Sequence, residues 1–209
     1  MDNKYTPQQV NSGSIPLDVN VTIRHIGADG KAKPIFQESK LGNFLMKKGI
    51  VSPLWINSKL APVLSPFMGS WASSKLHANL ITNAGKAAVA SRINGSGSEA
   101  VFASIGQGTG ATAANASDTA LQTEVTASGS GASGVHVVAA ATASRTTTTV
   151  TNDTATFVGT VSITGTIAVT ESGVFNATTN GTLLARQVFS AINVVNGDSL
   201  QYTWNIKAA

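Results

Sequence analysis

The sequence predicts a mainly β protein: an antiparallel β-sandwich, jelly-roll-like or immunoglobulin-like, preceded by an extended, partly helical N-terminal arm. All six prolines lie within the first 66 of the 209 residues, and proline resists pairing in sheets. Residues 1–95 carry 11 Lys and Arg against 4 Asp and Glu, whereas residues 96–209 carry 3 against 6. The second part is rich in Thr, Ala, Ser, Gly and Val. We therefore divide the chain into an arm (1–75), a helical connector (76–95) and a β-sandwich domain (96–209).

Two short elements are expected in the arm. Apolar and polar residues alternate over 19–26, which predicts a strand with one buried face, followed by a turn at Asp29-Gly30. Ser39 is placed to cap a helix over 40–48, with Gly49 ending it. In that helix Leu41, Phe44 and Leu45 share one face.

The stretch 53–71 is apolar but has neither helical nor strand periodicity, because three prolines interrupt it. Such a segment needs a surface to lie on, either its own β-domain or another subunit. A second helix is predicted after it, capped by Thr82 or Asn83 and ended by Asn94-Gly95. Gly85 weakens that helix by about 1 kcal/mol relative to alanine.

Eight strands broken by Gly, Ser and Asn favour a sandwich or barrel. The clearest is the last, where Leu200, Tyr202, Trp204 and Ile206 alternate with polar residues after Asn196-Gly197, a hairpin signal. Alternation from Phe157 to Val169 predicts either one long bent strand or a chain that folds at Thr164-Gly165. The predicted strands are 99–105, 121–127, 135–143, 146–151, 154–162, 166–171, 183–193 and 199–207.

Catalytic chemistry is not expected. The chain has no cysteine, and the spacing of its three histidines is not that of metal ligands, so His25, His77 and His136 are interpreted as surface or interface residues. The few carboxylates show no spacing typical of a catalytic pair. Ile105-Gly106-Gln107-Gly108-Thr109-Gly110 lacks the Lys-Ser/Thr of a phosphate loop and is interpreted as a glycine-rich β-turn. We predict a non-enzymatic protein with no cofactor and no metal.

The aromatic and basic residues suggest contacts with protein. Tyr202 and Trp204 share the apolar face of the last strand and are assigned to the core rather than to a sugar-stacking platform. Trp55 and Trp71 lie where no periodicity places them, so interface anchoring and intramolecular packing both remain open. The lysines of the arm are spread out without a nucleic-acid motif, which favours an acidic protein surface or simple solvation. No apolar run approaches the roughly 20 residues of a membrane span, and no signal peptide is expected.

Three stretches carry a resemblance to a known class of proteins. They are Asn79-Leu-Ile-Thr-Asn-Ala-Gly-Lys-Ala-Ala-Val-Ala90, Phe102-Ala-Ser-Ile-Gly-Gln-Gly-Thr-Gly-Ala-Thr-Ala113 and Ser117-Asp-Thr-Ala-Leu-Gln-Thr-Glu124. With Glu171-Ser-Gly-Val-Phe-Asn176, Gly181-Thr-Leu-Leu-Ala-Arg186 and Gly197-Asp-Ser-Leu-Gln-Tyr-Thr-Trp204, residues 79–209 resemble a module of tailed-phage structural proteins. Similar modules occur in capsid decoration proteins and in tail or fibre proteins, and the resemblance brings no catalytic residues.

The resemblance implies a virion protein, assembled in the host cytoplasm, and most simply a capsid decoration or cement protein. Its arm would order on the major capsid protein or another virion protein, and the β-domain would fold without it. We expect a homo-oligomer, such as a trimer, and no contact with nucleic acid or membrane. A tail fibre, collar or head–tail adaptor subunit is the alternative, and a carbohydrate-binding receptor module is the third possibility. The predicted partner-binding residues are Lys40, Lys47, Lys48, Trp55, Phe67 and Trp71.

Overall fold

The computed structural model describes residues 17–72, 75–78, 80–132, 134–136 and 141–208. Strands dominate it, so the prediction of a mainly β, antiparallel fold is confirmed. The helical segments are α1 (Lys40–Lys47), a 3₁₀ turn (Pro53–Asn57), α2 (Ala61–Met68) and α3 (Asn83–Asn94). The strands are β1 (Leu17–Ile26), β2 (Ala32–Lys33), β3 (Ile35–Glu38), β4 (Gly69–Ala72), β5 (Lys75–Ala78), β6 (Leu80–Ile81), β7 (Ser104–Gly108), β8 (Thr142–Thr146), β9 (Thr154–Ser162), β10 (Ile167–Phe175), β11 (Leu183–Val194) and β12 (Ser199–Ala208).

Two antiparallel sheets form the sandwich. The larger sheet has the order β2-β1-β12-β9-β8, with β5 also paired to β1, and the smaller has the order β6-β11-β10-β7. One hydrophobic core contains residues of both sheets, including Trp204 and Tyr202 from the larger and Phe189 and Ile105 from the smaller. Alternation along β1 and β12 directs the core side chains of the larger sheet inward, as expected for a sandwich. Strands β10 and β11 of the smaller sheet are instead buried on both faces over most of their length.

Strand β1 belongs to the sandwich, although the sequence assigned residues 19–26 to the arm. It pairs with β12 along its whole length, in a register that places Val21 opposite Trp204. Val19, Val21 and Ile23 are buried in the main core. The arm boundary at residue 75 is therefore wrong for this strand, and a β-domain lacking residues 1–75 would lose an interior strand. Residues 1–16 of the predicted arm lie outside the described residues.

The two turns predicted within the β-domain connect different sheets. Gly197 adopts φ +91°, as a turn requires, but β11 and β12 enter opposite sheets and do not form a hairpin. The chain likewise folds at Thr164-Gly165, since β9 and β10 lie in different sheets. A Cβ atom on Gly165 would lie 2.1 Å from the carbonyl oxygen of Ser128, so only glycine fits this crossing.

Several strand boundaries differ from the prediction. The strands at 154–162, 183–193 and 199–207 are confirmed to within one residue, whereas 121–127 makes only isolated bridges, among them Gly108 with Glu124 and Val125 with Gly131. Residues 137–140 of the predicted strand 135–143 lie outside the described part. The predicted turn at Ile105–Gly110 is instead largely strand β7, buried throughout. Its glycines matter because a Cβ atom on Gly108 would meet the Thr123 carbonyl oxygen at 2.4 Å.

Residues 35–72 form a helical subdomain with a small core of its own. Strands β3 and β4 pair, and Phe36, Met46, Trp55 and Met68 form that core. The predicted helix is confirmed, with the Ser39 hydroxyl accepting the Gly42 N–H and Gly49 at φ +69°. The 3₁₀ turn packs on β11, so residues 53–57 of the apolar stretch lie on the chain's own sandwich, whereas α2 packs on α1, β4 and the turn.

Helix α3 is also confirmed, with Thr82 as its N-cap and Gly95 in the left-handed conformation at its end. The structure explains why this helix contains Gly85, which lowers its intrinsic stability. A Cβ atom on Gly85 would lie 2.3 Å from the carbonyl oxygen of Leu184, so glycine lets the helix approach β11 closely. Packing therefore overrides helix propensity at this position.

Candidate protein-docking surface

Exposed apolar side chains are concentrated in the helical subdomain. Eight large ones are 40–69% exposed, and we call them the docking surface: Leu41, Phe44, Ile50, Leu54, Leu60, Val63, Phe67 and Trp71. Along the much longer remainder of the described chain, only six comparable side chains are exposed, and none is aromatic. Exposed apolar residues scattered singly are normal, whereas a concentration of them is typical of an interaction site.

Helix α1 turns part of its apolar face outward. Leu41 and Phe44 are each 53% exposed, while Gly42 and Met46 face the subdomain core. The reason is the contact with α2, because a Cβ atom on Gly42 would lie 2.3 Å from the carbonyl oxygen of Met68. The smallest residue of α1 therefore faces α2. Of the apolar face predicted from the sequence, Leu41 and Phe44 are left in solvent, whereas Leu45 packs against the subdomain core.

Helix α2 presents a second apolar row. Leu60, Val63 and Phe67 follow one another at three- and four-residue spacing and are all more than half exposed. The helix is fixed at its end, since the backbone N–H of Ser39 donates to the Met68 carbonyl at 2.6 Å and the Ser39 hydroxyl donates to the Phe67 carbonyl at 3.0 Å. Both rows are thus carried by helices that pack directly on each other.

The two tryptophans of the subdomain have opposite environments. Trp55 is only 5% exposed and packs edge-on against Phe36, with ring centroids 5.0 Å apart. Trp71 also packs edge-on with Phe36, with ring centroids 5.5 Å apart, but is 60% exposed. The prediction of Trp55 as an interface anchor is therefore wrong, because it fills the subdomain core. Trp71 and Phe67 remain available at the surface.

The predicted lysines flank this surface. Lys40, Lys47 and Lys48 are exposed, and none of them forms an ion pair among the described residues. Lys47 lies in the last turn of α1, where a positive charge interacts favourably with the helix dipole. Residues 27–72 contain six lysines and two acids, a net charge of +4. The surface is therefore apolar with a positive margin.

Two cavities lie along the seam between the helical subdomain and the sandwich. One, of about 240 Å³, is lined by Asn43, Met46, Lys47, Leu80, Ala113, Ala114, Gln187 and Val188. The other, of about 270 Å³, includes His25, Lys33 and Trp71 in its lining. The seam is held by Glu38, which accepts the Ser190 N–H at 2.9 Å, and by an amide contact of 2.7 Å between Asn57 and Asn193.

The buried polar residues of the sandwich serve the fold. Arg186 donates to Glu171 and Asp118 at 2.8 Å and to the Thr112 carbonyl at 3.1 Å. Glu171 also accepts the backbone N–H groups of Gly110 and Thr123. These contacts hold the loop after β7 against the sheet. Because Arg186 donates to three different acceptors, this cluster stabilises the packing of the loop on the sheet.

Two of the histidines are buried, which corrects the sequence interpretation of them as surface residues. His25 bonds Asp198 at 2.8 Å, and His136 bonds Glu124 at 2.7 Å while stacking on Phe175. Neither carboxylate is near its histidine in sequence, so no spacing signals these pairs. The side chain of His77 lies outside the described residues.

All six aromatic side chains of residues 96–209 are buried, and Tyr202 and Trp204 are fully so. Their assignment to the core is confirmed. Burial raises the pKa of Tyr202, whose hydroxyl donates to the Gln107 side-chain oxygen at 3.0 Å. These rings therefore offer no surface for stacking against a sugar.

Comparison with protein-family models, curated proteins and solved structures finds no match to this chain. Within the described ranges, no three or more His, Asp or Glu residues are grouped as metal ligands would be. The helices of those ranges are all too short or too polar to cross a membrane.

Proposed function

We propose that the chain is a non-enzymatic structural protein of a tailed-phage virion: a capsid decoration protein that binds the major capsid protein through its docking surface. The observation that carries the proposal is the concentration of exposed apolar side chains on the helical subdomain, beside lysines that form no ion pair with any described residue. The resemblance of residues 79–209 to phage structural modules supplies the class of partner. The binding element is the helical subdomain, which has its own core, rather than an arm that orders only on its neighbour.

The sandwich suits a passive role in such an assembly. It carries only nine formal charges over residues 96–209. Its buried ion pair between Glu171 and Arg186 joins parts of the sandwich to each other. A tail-fibre, collar or adaptor subunit would use the same docking surface, so the two readings differ in the location of the protein on the particle. The carbohydrate-binding reading has less support, because its stacking platform requires exposed aromatic rings in residues 96–209.

The experiment is an add-back of purified protein to particles that lack it. We expect the double substitution Val63→Ser and Phe67→Ser to weaken binding by ~10-fold or more, because apolar anchors at interfaces contribute about 1–2 kcal/mol or more each. Both side chains are largely exposed, so the fold should be retained. Val150→Ser is the matched control, since Val150 is 67% exposed but lies far along the chain in the β-domain.

Equal binding of the double variant and the wild type would contradict the proposal. Imaging of labelled protein on the same particles separates the two virion positions, because signal over the whole head indicates a decoration protein and signal at one vertex indicates a tail component. The predicted homo-oligomer is checked on the free protein by sedimentation equilibrium.

A further inference from the structure

The seam cavity of about 270 Å³ has both polar and apolar lining residues. The polar ones are His25, Lys33 and Asn193. The apolar ones are Pro34, Ile35, Phe36, Ile56, Trp71, Ala191 and Ile192. Trp71 belongs to the cavity lining and also to the docking surface, so the cavity lies beside the docking surface.

Asp198 forms hydrogen bonds with two of the polar lining residues, His25 and Lys33. It is 2% exposed and accepts hydrogen bonds from Lys33 Nζ at 2.7 Å, from His25 Nε2 at 2.8 Å and from the Val195 N–H at 3.2 Å. Burial alone would raise the pKa of Asp198, but these hydrogen bonds outweigh it and lower the pKa to about 2. The carboxylate is therefore ionised at neutral pH and acts only as an acceptor.

Lys33 keeps donors that Asp198 does not use. The His25 Nε2 atom donates to Asp198, which only accepts. Lys33 has three N–H groups, of which Asp198 takes one, and its side chain is 43% exposed. Lys33 can therefore donate to a further acceptor.

The segment that contributes Lys33 to the cavity is positively charged. Residues 27–72 carry a net charge of +4, and their two acids are already engaged: Glu38 accepts from Ser190, and Asp29 lies 4.0 Å from the Lys31 ammonium. Asp198 is likewise occupied by Lys33 and His25. An incoming carboxylate would thus meet Lys33 within a positively charged segment, and Asp198 and the acids of that segment already have partners.

We propose that this cavity binds a carboxylate side chain, Asp or Glu, of the protein on which the docking surface lies. The inference rests on the proposed docking function and names the partner chemistry. Lys33 is the main donor, and the Trp71 indole covers the CH₂ groups of the bound side chain. At about 270 Å³ the cavity lies below the ~300–1,000 Å³ of pockets for drug-sized ligands, which fits one inserted side chain.

The test uses the full chain in solution with two small probes, 3-phenylpropionate and its neutral isostere 3-phenylpropanamide, titrated by ligand-detected NMR. We expect millimolar binding of the carboxylate and roughly tenfold weaker binding of the amide, as for loss of a charge-assisted hydrogen bond. Lys33→Met should weaken carboxylate binding by a similar factor. Lys31→Met, which removes an exposed lysine two residues away, should leave it unchanged.

Because Lys33 also bonds Asp198, Lys33→Met has a second effect on the fold, so Trp71→Ala provides an independent variant. Trp71 is 60% exposed and is not among the hydrogen-bond partners of Asp198, and its replacement should weaken both probes together. The proposal is overturned if the carboxylate shows no saturable binding to the wild type, if the amide binds equally well, or if Lys31→Met and Lys33→Met behave alike.

The add-back assay separates this inference from the function on which it rests. If the carboxylate probe does not bind but Val63→Ser with Phe67→Ser still releases the protein from particles, the cavity assignment fails and the docking surface stands. If the probe binds through Lys33 while that double variant decorates particles normally, the docking function fails, and with it the assignment of the carboxylate to a partner.

Discussion

Glu171 and Arg186 form an ion pair inside the sandwich, with Arg186 Nε 2.8 Å from Glu171 Oε2, although fifteen residues separate them along the chain. Glu171 is completely buried and Arg186 is 2% exposed. They lie on the paired strands β10 and β11, and Glu171 also accepts N–H groups from the loop after β7. The pair therefore joins the smaller sheet to a long irregular segment.

Replacing Arg186 with Met should lower the free energy of unfolding by about 3–5 kcal/mol, because it leaves the Glu171 carboxylate unpaired in the interior. Urea unfolding followed by circular dichroism measures the change. The control is Arg145→Met, since Arg145 is exposed on β8 and its loss should cost less than ~0.5 kcal/mol. If the two variants lost similar amounts of unfolding free energy, the buried pair would not be a source of stability.

The assignment of β1 to the sandwich predicts that Ile23→Ala lowers the free energy of unfolding by about 2–5 kcal/mol, the usual cost of a large-to-small change in a core. Ile23 is fully buried in the main core. Thr22→Ala, on the other face of the same strand, should have a much smaller effect. If both variants unfold like the wild type, residues 19–26 act as an arm after all.

Gly85→Ala should destabilise the protein, even though alanine favours an exposed helix by about 1 kcal/mol over glycine. The added Cβ atom would lie 2.3 Å from the Leu184 carbonyl oxygen, which forces α3 away from β11. Thermal unfolding shows whether Gly85→Ala lowers or raises the melting temperature. Ala87→Gly, at an exposed site of the same helix, reports the propensity effect alone, and a higher melting temperature for Gly85→Ala would refute the close approach.

The lowered pKa of Asp198 makes part of the stability depend on acid pH. Its folded-state pKa of about 2 lies below the ordinary value of 3.8, so the folded state binds this proton less readily than the unfolded state. The contribution is complete above pH 3.8 and is lost as the pH falls through about 2. In denaturant titrations from pH 5 to pH 2, the wild type should lose more stability than Asp198→Asn. If the wild type and Asp198→Asn lost the same amount of stability over this pH range, Asp198 would not have a lowered pKa in the folded state.

Much of the local structure could be predicted from the sequence. Helix α1 begins after Ser39 and α3 after Thr82 because each cap side chain accepts a backbone N–H three residues on. Strand β12 follows the alternation of Leu200, Tyr202, Trp204 and Ile206. These features depend on residues a few positions apart, so they are visible without a fold.

The docking surface was only partly predictable. The proline-broken stretch indicated an apolar segment in need of a surface, but it did not show that Trp55 would be buried and Trp71 exposed. Both are aromatic residues outside any periodic pattern, and Phe36, which lies between them, is far from either in sequence. The seam cavity was missed for the same reason, since His25 and Asp198 are 173 residues apart.

Composition and short-range periodicity by themselves determined that this chain is mainly β, where its capped helices begin and which faces of its last strands are apolar. Only the tertiary structure decided that β1 enters the sandwich, that Asn196-Gly197 joins two sheets, and that Leu41 and Phe44 of α1 point to solvent. The physical reason is range: caps and alternation act within a few residues, whereas sheet membership and exposure are set by close contacts such as Gly42 with Met68 between distant parts of the chain.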